Sequence, residues 1–301
     1  MSSNVGPSAS ITLEEGGVAD LRWTNAWRGL LTLRMRDFRS RHPFHVHDYF
    51  SICLVDSGEA EIICRGEVYR AGPGSVLLIS PFEVHQEVNT SNTPWFFRAM
   101  HPAMPTMRRV LGMERSAGLE RLRFTSPVVN DAALADQLDR MFTAIDRSAD
   151  GSIGDNVADP VRASLLRHLR PIGERRRRLR SQRAVEIVRA RILDAHRDMP
   201  GMNELAALTG LSRFHLSRTF RDATGLPPYA YFEQVRLARA KVMIRQGYEL
   251  SAVAMALGYS DQSHFHRQFR ERAAMTPGRY AQALRKVFCV GARVPMRNPA
   301  A

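Results

Sequence analysis

The 301 residues carry 43 Lys and Arg against 30 Asp and Glu, and the net +13 is uneven: from Glu174 onward 24 basic residues face 10 acidic ones, while the first 173 residues carry −1. That length exceeds one average domain of roughly 100–150 residues, so two are expected, a basic one suited to a polyanion and a neutral one suited to sensing or catalysis. Cys53, Cys64 and Cys289 show no CxxC spacing and no stretch holds 18 apolar residues together, which excludes a disulfide scaffold and a membrane span and leads us to expect a cytoplasmic chain.

Residues 1–25 are weakly patterned. From about Leu30 to Val88 the chain reads as short strands over 31–35, 51–55, 60–64 and 75–80, rich in β-branched and aliphatic residues. Ser57-Gly58-Glu59 and Ala71-Gly72-Pro73-Gly74 supply turns between them. Regular short strands with Gly and Pro turns predict a barrel or sandwich. From Asp131 the period changes, and Leu134, Leu138, Met141, Phe142 and Ile145 fall at helical spacing; a second helix is expected from Pro160 through Leu165, Leu166 and Leu169. The tract Glu174-Arg175-Arg176-Arg177-Arg178-Leu179-Arg180 reads as a linker, either a solvated spacer, a phosphate contact or a helical lead-in. Helix is expected after it to about Lys286, and the Pro- and Gly-bearing residues 287–301 form a tail without a pattern.

An internal repeat lies within the helical part. Leu205-Ala206-Ala207-Leu208-Thr209-Gly210-Leu211-Ser212 is echoed by Val253-Ala254-Met255-Ala256-Leu257-Gly258-Tyr259-Ser260. Each copy has a short apolar helix, a Gly able to take positive φ, and a Ser suited to cap the next helix, which is the layout of a helix-turn-helix. In the second helix of each copy, Leu216 and Phe220, or Phe265 and Phe269, share the buried face. Phe214 and Arg218, or Ser263 and Arg267, point away, with Arg221, Gln262, His266 and Arg270 nearby. Outward Arg and Gln are the chemistry that meets guanine and adenine edges in a major groove. Between the copies, Phe232, Val235, Leu237, Ala238, Ala240, Val242, Met243 and Ile244 stripe a helix of roughly 18 residues, about 27 Å long. Such a rod would hold two recognition helices in successive grooves about 34 Å apart.

Residues 184–285 resemble the DNA-binding domain of AraC/XylS-type transcription regulators. The run Gly258-Tyr259-Ser260-Asp261-Gln262-Ser263-His264-Phe265-His266-Arg267-Gln268-Phe269 carries the resemblance, with Thr276-Pro277 and Tyr280, and Leu216-Ser217-Arg218-Thr219-Phe220 supports it. Ala274 stands where the family usually has Gly, and Ala281 where it often has Arg. The resemblance implies that Phe214, Ser217, Arg218 and Arg221, and Gln262, Ser263, His266, Arg267 and Arg270, are candidates for DNA contact, with Arg218 and Arg267 foremost. Phe214 and His264 also suit packing, and Arg221 or Arg270 a phosphate or solvent.

His45-Val46-His47, Gly58, Gly72-Pro73-Gly74, Pro81 and His85 resemble the two motifs of a cupin barrel. Metal-binding cupins place a Glu where this chain has Ser51, and Asp48 has the wrong strand parity to replace it. The AraC resemblance implies instead a barrel that binds a small effector and needs no metal. His45, His47, Ser51 and His85 are therefore expected to line an effector pocket, and no metal, cofactor or catalytic residue is assigned.

The expected fold is α+β in two domains: a cupin-like barrel with following helices over residues 1–173, a basic linker over 174–183, an all-α domain with two helix-turn-helix units over 184–286, and a tail over 287–301. The expected function is a transcription regulator, an activator by family resemblance, controlled by an unidentified small molecule. Its expected partners are double-stranded DNA, RNA polymerase if it activates, and a second copy paired through the helices of 131–169. Two other readings are a cupin-type metal-dependent enzyme with a DNA-binding tail, and a regulator whose barrel only dimerises.

Overall fold

The computed structural model describes residues 8–12, 18–28, 30–38, 41–91, 93–113, 122–148, 151–171, 180–273 and 275–288. Most of the basic tract, Ala274, Cys289 and the tail beyond it lie outside the described residues. In chain order come strands β1 (Ser8–Thr12), β2 (Val18–Thr24), β3 (Leu30–Phe38), β4 (Ser51–Ser57), β5 (Ala60–Cys64), β6 (Glu67–Ala71), β7 (Val76–Ile79), β8 (His85–Asn89) and β9 (Trp95–His101). Helix α1 (Met104–Val110), β10 (Leu122–Phe124), β11 (Val128–Val129), α2 (Ala132–Arg147), α3 (Asp155–His168) and β12 (Leu169–Pro171) complete the N-terminal part. Seven helices follow: α4 (Arg180–Asp194), α5 (Met202–Thr209), α6 (Arg213–Thr224), α7 (Pro228–Arg245), α8 (Leu250–Ala256), α9 (Gln262–Ala273) and α10 (Pro277–Phe288).

A seven-stranded sheet in the order β1-β2-β3-β9-β4-β7-β11 is opposed by a three-stranded sheet, β6-β5-β8. Cys53, Val55, Leu77, Ile79, Trp95 and Ala99 of the large sheet interdigitate with Ala60, Ile62 and Ala71 of the small one. The alternate residues of β4 and β7, Ile52, Leu54, Val76 and Leu78, face outward and are covered by Leu134, Leu138, Met141, Phe142 and Ile145 of α2 and by Val161 and Leu165 of α3. A strand covered on both faces is apolar at successive positions, which explains the unbroken run Ile52-Cys53-Leu54-Val55. The α2 stripe is thus spent inside the chain, so pairing of two copies would have to use the outer faces of α2 and α3.

Two expectations here need correction. Within the first 25 residues, Ser8–Thr12 and Val18–Thr24 form β1 and β2, which extend the large sheet beyond β3. Helix α3 begins at Asp155 rather than Pro160, and the proline sits inside its second turn, where it forfeits one ladder bond near the helix start. At α2 the cap is Asp131, whose carboxylate accepts from the Leu134 amide at 3.0 Å and pairs with His168 Nε2 at 2.9 Å.

Helix α7 organises the C-terminal domain. Tyr231, Phe232 and Val235 in its first half, with Ala238 just past the middle, close a core with Val188, Ile192, Leu205, Leu216 and Phe220. Leu237, Ala240 and Ile244 in its second half close another with Val253, Phe265, Phe269 and Leu284. Each helix-turn-helix unit therefore hangs from one end of an 18-residue rod.

Candidate functional site

The first unit is α5 and α6. Gly210 takes a left-handed φ of 66° between them, and Ser212 Oγ accepts from the His215 amide at 3.3 Å to start α6. Leu216 and Phe220 are fully buried, which turns Arg218 and Arg221 to solvent and leaves Phe214 85% exposed; Ser217 is half-buried. Phe214 is thus no packing residue here. The second unit, α8 and α9, repeats this with Gly258 at φ 72°. Its cap is Asp261, whose Oδ1 accepts from the His264 amide at 2.7 Å, and not Ser260, whose hydroxyl instead joins Asp261 Oδ2 to His264 Nδ1. Asp outcompetes Ser because its ionised oxygen bonds the amide more strongly and favours the positive end of the helix dipole. His264 packs against Tyr259 with ring centroids 5.6 Å apart. Gln262, Ser263, Arg267 and Arg270 are exposed and His266 is half-buried.

The two arginine populations of this domain differ. Arg236 pairs with Glu233 and lies 3.9 Å above the Tyr259 ring, Arg239 donates to the carbonyls of Leu193 and Ala195, and Arg245 donates to Asp48 at 2.6 Å. Arg218, Arg221, Arg267 and Arg270 enter no ion pair among the described residues. Their guanidiniums, exposed and uncommitted, carry the charge that a phosphate backbone or a guanine edge requires.

The barrel docks on the first unit through one extended segment and two turns. Phe44 and Val46 alternate with His45 and His47, so the apolar pair faces outward while the imidazoles face the barrel. Phe44, Val46, Phe82 and Val84 enter the same core as Leu216, Phe220 and Tyr231. The Phe44 ring lies over Gly225, where an added Cβ would meet Cε1 at 2.8 Å, and Gly66 of the β5–β6 turn lies against the Asp222 carbonyl. Phe82, with a left-handed φ of 56°, receives Tyr231 Oη at 3.0 Å and Arg189 Nη2 at 3.2 Å on its carbonyl, and donates its own amide to the His47 carbonyl at 2.7 Å. Only the C-terminal end of α6 is covered, so the end bearing Phe214 and Arg218 stays open.

Behind that seam the structure brings together three of the four expected pocket residues. His45 and His85 exchange both backbone hydrogen bonds across antiparallel strands, at 3.0 and 3.1 Å, which places their side chains together. Their ring centroids are 4.2 Å apart, and His47 lies 4.6 Å from His85. Ser51 is buried on β4, with its hydroxyl 3.3 Å from Cys53 Sγ. The missing carboxylate comes from a residue that reading by motif position overlooks: Glu87, two residues past His85 and so on the same face of β8. Its oxygens lie 3.4 Å from His85 Nε2 and 4.0 Å from His45 Nε2.

Burial, reinforced by His85, lowers His45 to about 3 and pushes His47 well down, so both imidazoles are neutral at physiological pH. Burial raises Glu87 but the flanking imidazoles of His45 and His85 outweigh it, and its carboxyl is held below the usual range. His101, stacked on Tyr49 at 4.5 Å, is lowered to about 3 by burial and by Arg245. From α7, Lys241 acts electrostatically on His47 and is itself lowered to about 8 by burial and by Arg245.

Residues 205–283 match a family model described as a helix-turn-helix domain, and residues 30–159 match one described as an AraC-like ligand binding domain. The uncharacterized HTH-type transcriptional regulator YbfI of Bacillus subtilis is 24% identical over 231 residues, covering 77% of this chain and 84% of that protein. The HTH-type transcriptional activator RhaS of Klebsiella pneumoniae is 25% identical over 248 residues, covering 79% of this chain and 87% of that protein. The crystal structure of unsaturated fatty acid bound ToxT from Vibrio cholerae covers 88% of this chain and 98% of its own, with a TM-score of 0.50 and 13% identity, a likeness of fold. No helix among the described residues is long and apolar enough to cross a membrane.

Proposed function

Since the chain belongs to the AraC-type transcription regulators, with a ligand-binding domain joined to a helix-turn-helix DNA-binding domain, we propose that the N-terminal halves of α6 and α9 read its operator and that occupancy of the barrel changes how they are presented. The observation that carries this reading is the contrast among arginines: those of α7 are committed to the fold, while Arg218 and Arg267 stand exposed, with no ion pair among the described residues, on the helices that enter the major groove in such units. Phe214, Ser217, Gln262, Ser263 and His266 flank them as further base or sugar contacts, and Arg221 and Arg270 suit phosphates.

The effector is a small molecule or ion bound at the barrel face that carries His45, His47 and His85. It acts by binding unequally to the docked arrangement and to one in which the seam at Phe44, Val46 and Phe82 has opened. The chain works in the cytoplasm, pairs with a second copy and activates through RNA polymerase; the name of the Klebsiella relative supports the sign of regulation. Residues 1–173 act as the sensor, 184–286 as the DNA reader, and 174–183 as the linker.

The test is capture of genomic fragments by purified protein, followed by affinity measurement on the recovered sites and on unrelated DNA. Arg218→Ala or Arg267→Ala should each weaken the specific site by about 1–3 kcal/mol while changing unrelated DNA less. Equal losses on every sequence would make these residues phosphate contacts and remove the base-reading role.

A further inference from the structure

From the geometry of the imidazole cluster we infer that His45, His47 and His85, with Glu87, bind one divalent first-row transition-metal ion. The donor atoms of the three histidines all lie within 4.8 Å of one another. Two of the rings are preset as ligands: His45 Nδ1 is 2.9 Å from the Pro43 carbonyl and His85 Nδ1 is 2.9 Å from the Glu83 carbonyl. A carbonyl can only accept, so each Nδ1 carries the proton and each Nε2 presents a lone pair inward, the arrangement that orients metal-binding imidazoles.

His85 Nε2, His47 Nδ1 and Glu87 Oε2 are buried atoms without a hydrogen-bond partner. Leaving such polar atoms unsatisfied is costly, and two of them lie on rings of the cluster while the third belongs to the carboxylate whose oxygens stand 3.4 Å from His85 Nε2 and 4.0 Å from His45 Nε2, an arrangement suited to a cation. Metal–nitrogen bonds of about 2.0–2.1 Å set tetrahedral donors about 3.4 Å apart, so the rings need to draw in by roughly an ångström. Three nitrogens and one carboxylate oxygen suit Zn²⁺, Ni²⁺, Co²⁺ or Fe²⁺ better than the oxygen-seeking Ca²⁺ or Mg²⁺.

The site sits directly behind the docking seam. His45 and His47 alternate with Phe44 and Val46, and Lys241 and Arg245 of α7 face His47 and His101 from the other domain. A dication held there would repel those two cations and favour an opened seam. This consequence for DNA rests on the regulator reading, whereas the metal site itself does not.

The experiment uses tag-free full-length protein, stripped with a chelator and titrated with Zn²⁺, Ni²⁺ and Co²⁺ by calorimetry, with Co²⁺ also followed by its d–d absorption. One equivalent is expected. His85→Ala and His47→Ala should weaken binding at least 100-fold, and Glu87→Gln, close to isosteric, about 10-fold, while Cys53→Ser and Cys64→Ser bind as the native chain does. Circular dichroism on each variant separates loss of ligand from loss of fold. Absence of stoichiometric binding by folded native protein, binding that survives His47→Ala and His85→Ala, or a thiolate charge-transfer band with Co²⁺ would overturn the site. Operator affinity measured with and without metal forms a separate arm: selective DNA binding without any metal isotherm retains the regulator and rejects the site, and the converse result does the reverse.

Discussion

Leu216 and Phe220 of the first recognition helix share a core with Phe44, Val46, Phe82 and Val84 of the barrel, whereas Phe265 and Phe269 of the second are enclosed by α7, α8 and α10. The two units repeat one sequence pattern, one glycine turn and one buried apolar pair, but their neighbours differ. A change in the barrel reaches the first unit by direct contact. It reaches the second through the rod of α7 and through α10, which lies along β1 and β2. Duplication of a motif therefore does not duplicate its control.

The largest effect comes from cutting one unit at a time. Phe220→Ala and Phe269→Ala should each cost about 3–5 kcal/mol of stability, the range for emptying a buried aromatic site. The asymmetry lies in where the damage spreads. Hydrogen exchange around Phe82 and His85 should speed up in Phe220→Ala and stay near native in Phe269→Ala. Equal loosening of the barrel in both variants would remove the distinction between the units.

Acid should produce the next largest effect. His45 and His101 are lowered to about 3 from an ordinary 6.5, so between those values the unfolded chain binds more protons than the folded one. Their stabilisation is complete above pH 6.5 and is lost as pH falls through that window, with a slope of up to about 1.4 kcal/mol per pH unit for each ring. Thermal melts between pH 7 and 4 should therefore show a shallower fall in Tm for His101→Phe than for the native chain. An unchanged slope would mean that this ring is not held neutral at the seam.

The smallest and most local effect is Tyr231→Phe, which removes the donor to the Phe82 carbonyl and keeps the ring. It should cost about 1 kcal/mol, an ordinary hydrogen bond in a partly buried setting. Domain docking should weaken by the same amount, readable as faster limited proteolysis between the domains, with the second unit's exchange unaltered.

Much of this was legible in the residues. The repeat, its glycines and the faces of α6 and α9 followed from helical period alone, because an amphipathic helix declares its buried side. Strand β5 was bounded residue for residue because Gly58 and the Arg65-Gly66 turn fence it. Strands β1 and β2 escaped because Ser8–Thr12 and Val18–Thr24 are edge-side and mixed in polarity, with little alternation to detect. Glu87 is not signalled by the cupin pattern, whose carboxylate position falls on Ser51, although His85 and Glu87 at i and i+2 on one strand share a face. The docking seam was beyond reach, since Phe44 and Val46 look like ordinary strand residues until their partners on α4, α6 and α7 are known.

The left-handed backbone at Phe82 stores strain. A left-handed backbone at a bulky residue costs on the order of 1–2 kcal/mol, and here the conformation is held by Tyr231 and Arg189 on the carbonyl and by His47 on the amide. Two of those three restraints belong to the DNA-binding domain. When the domains part, the turn keeps its steric cost and loses most of what opposes it, so it relaxes, and His85 lies only three residues further along the chain. The turn thus links the two contacts: parting the domains removes two of the restraints on Phe82, three residues from His85, and by reciprocity a ligand that reshapes the imidazole cluster alters the grip on the reader by the same factor.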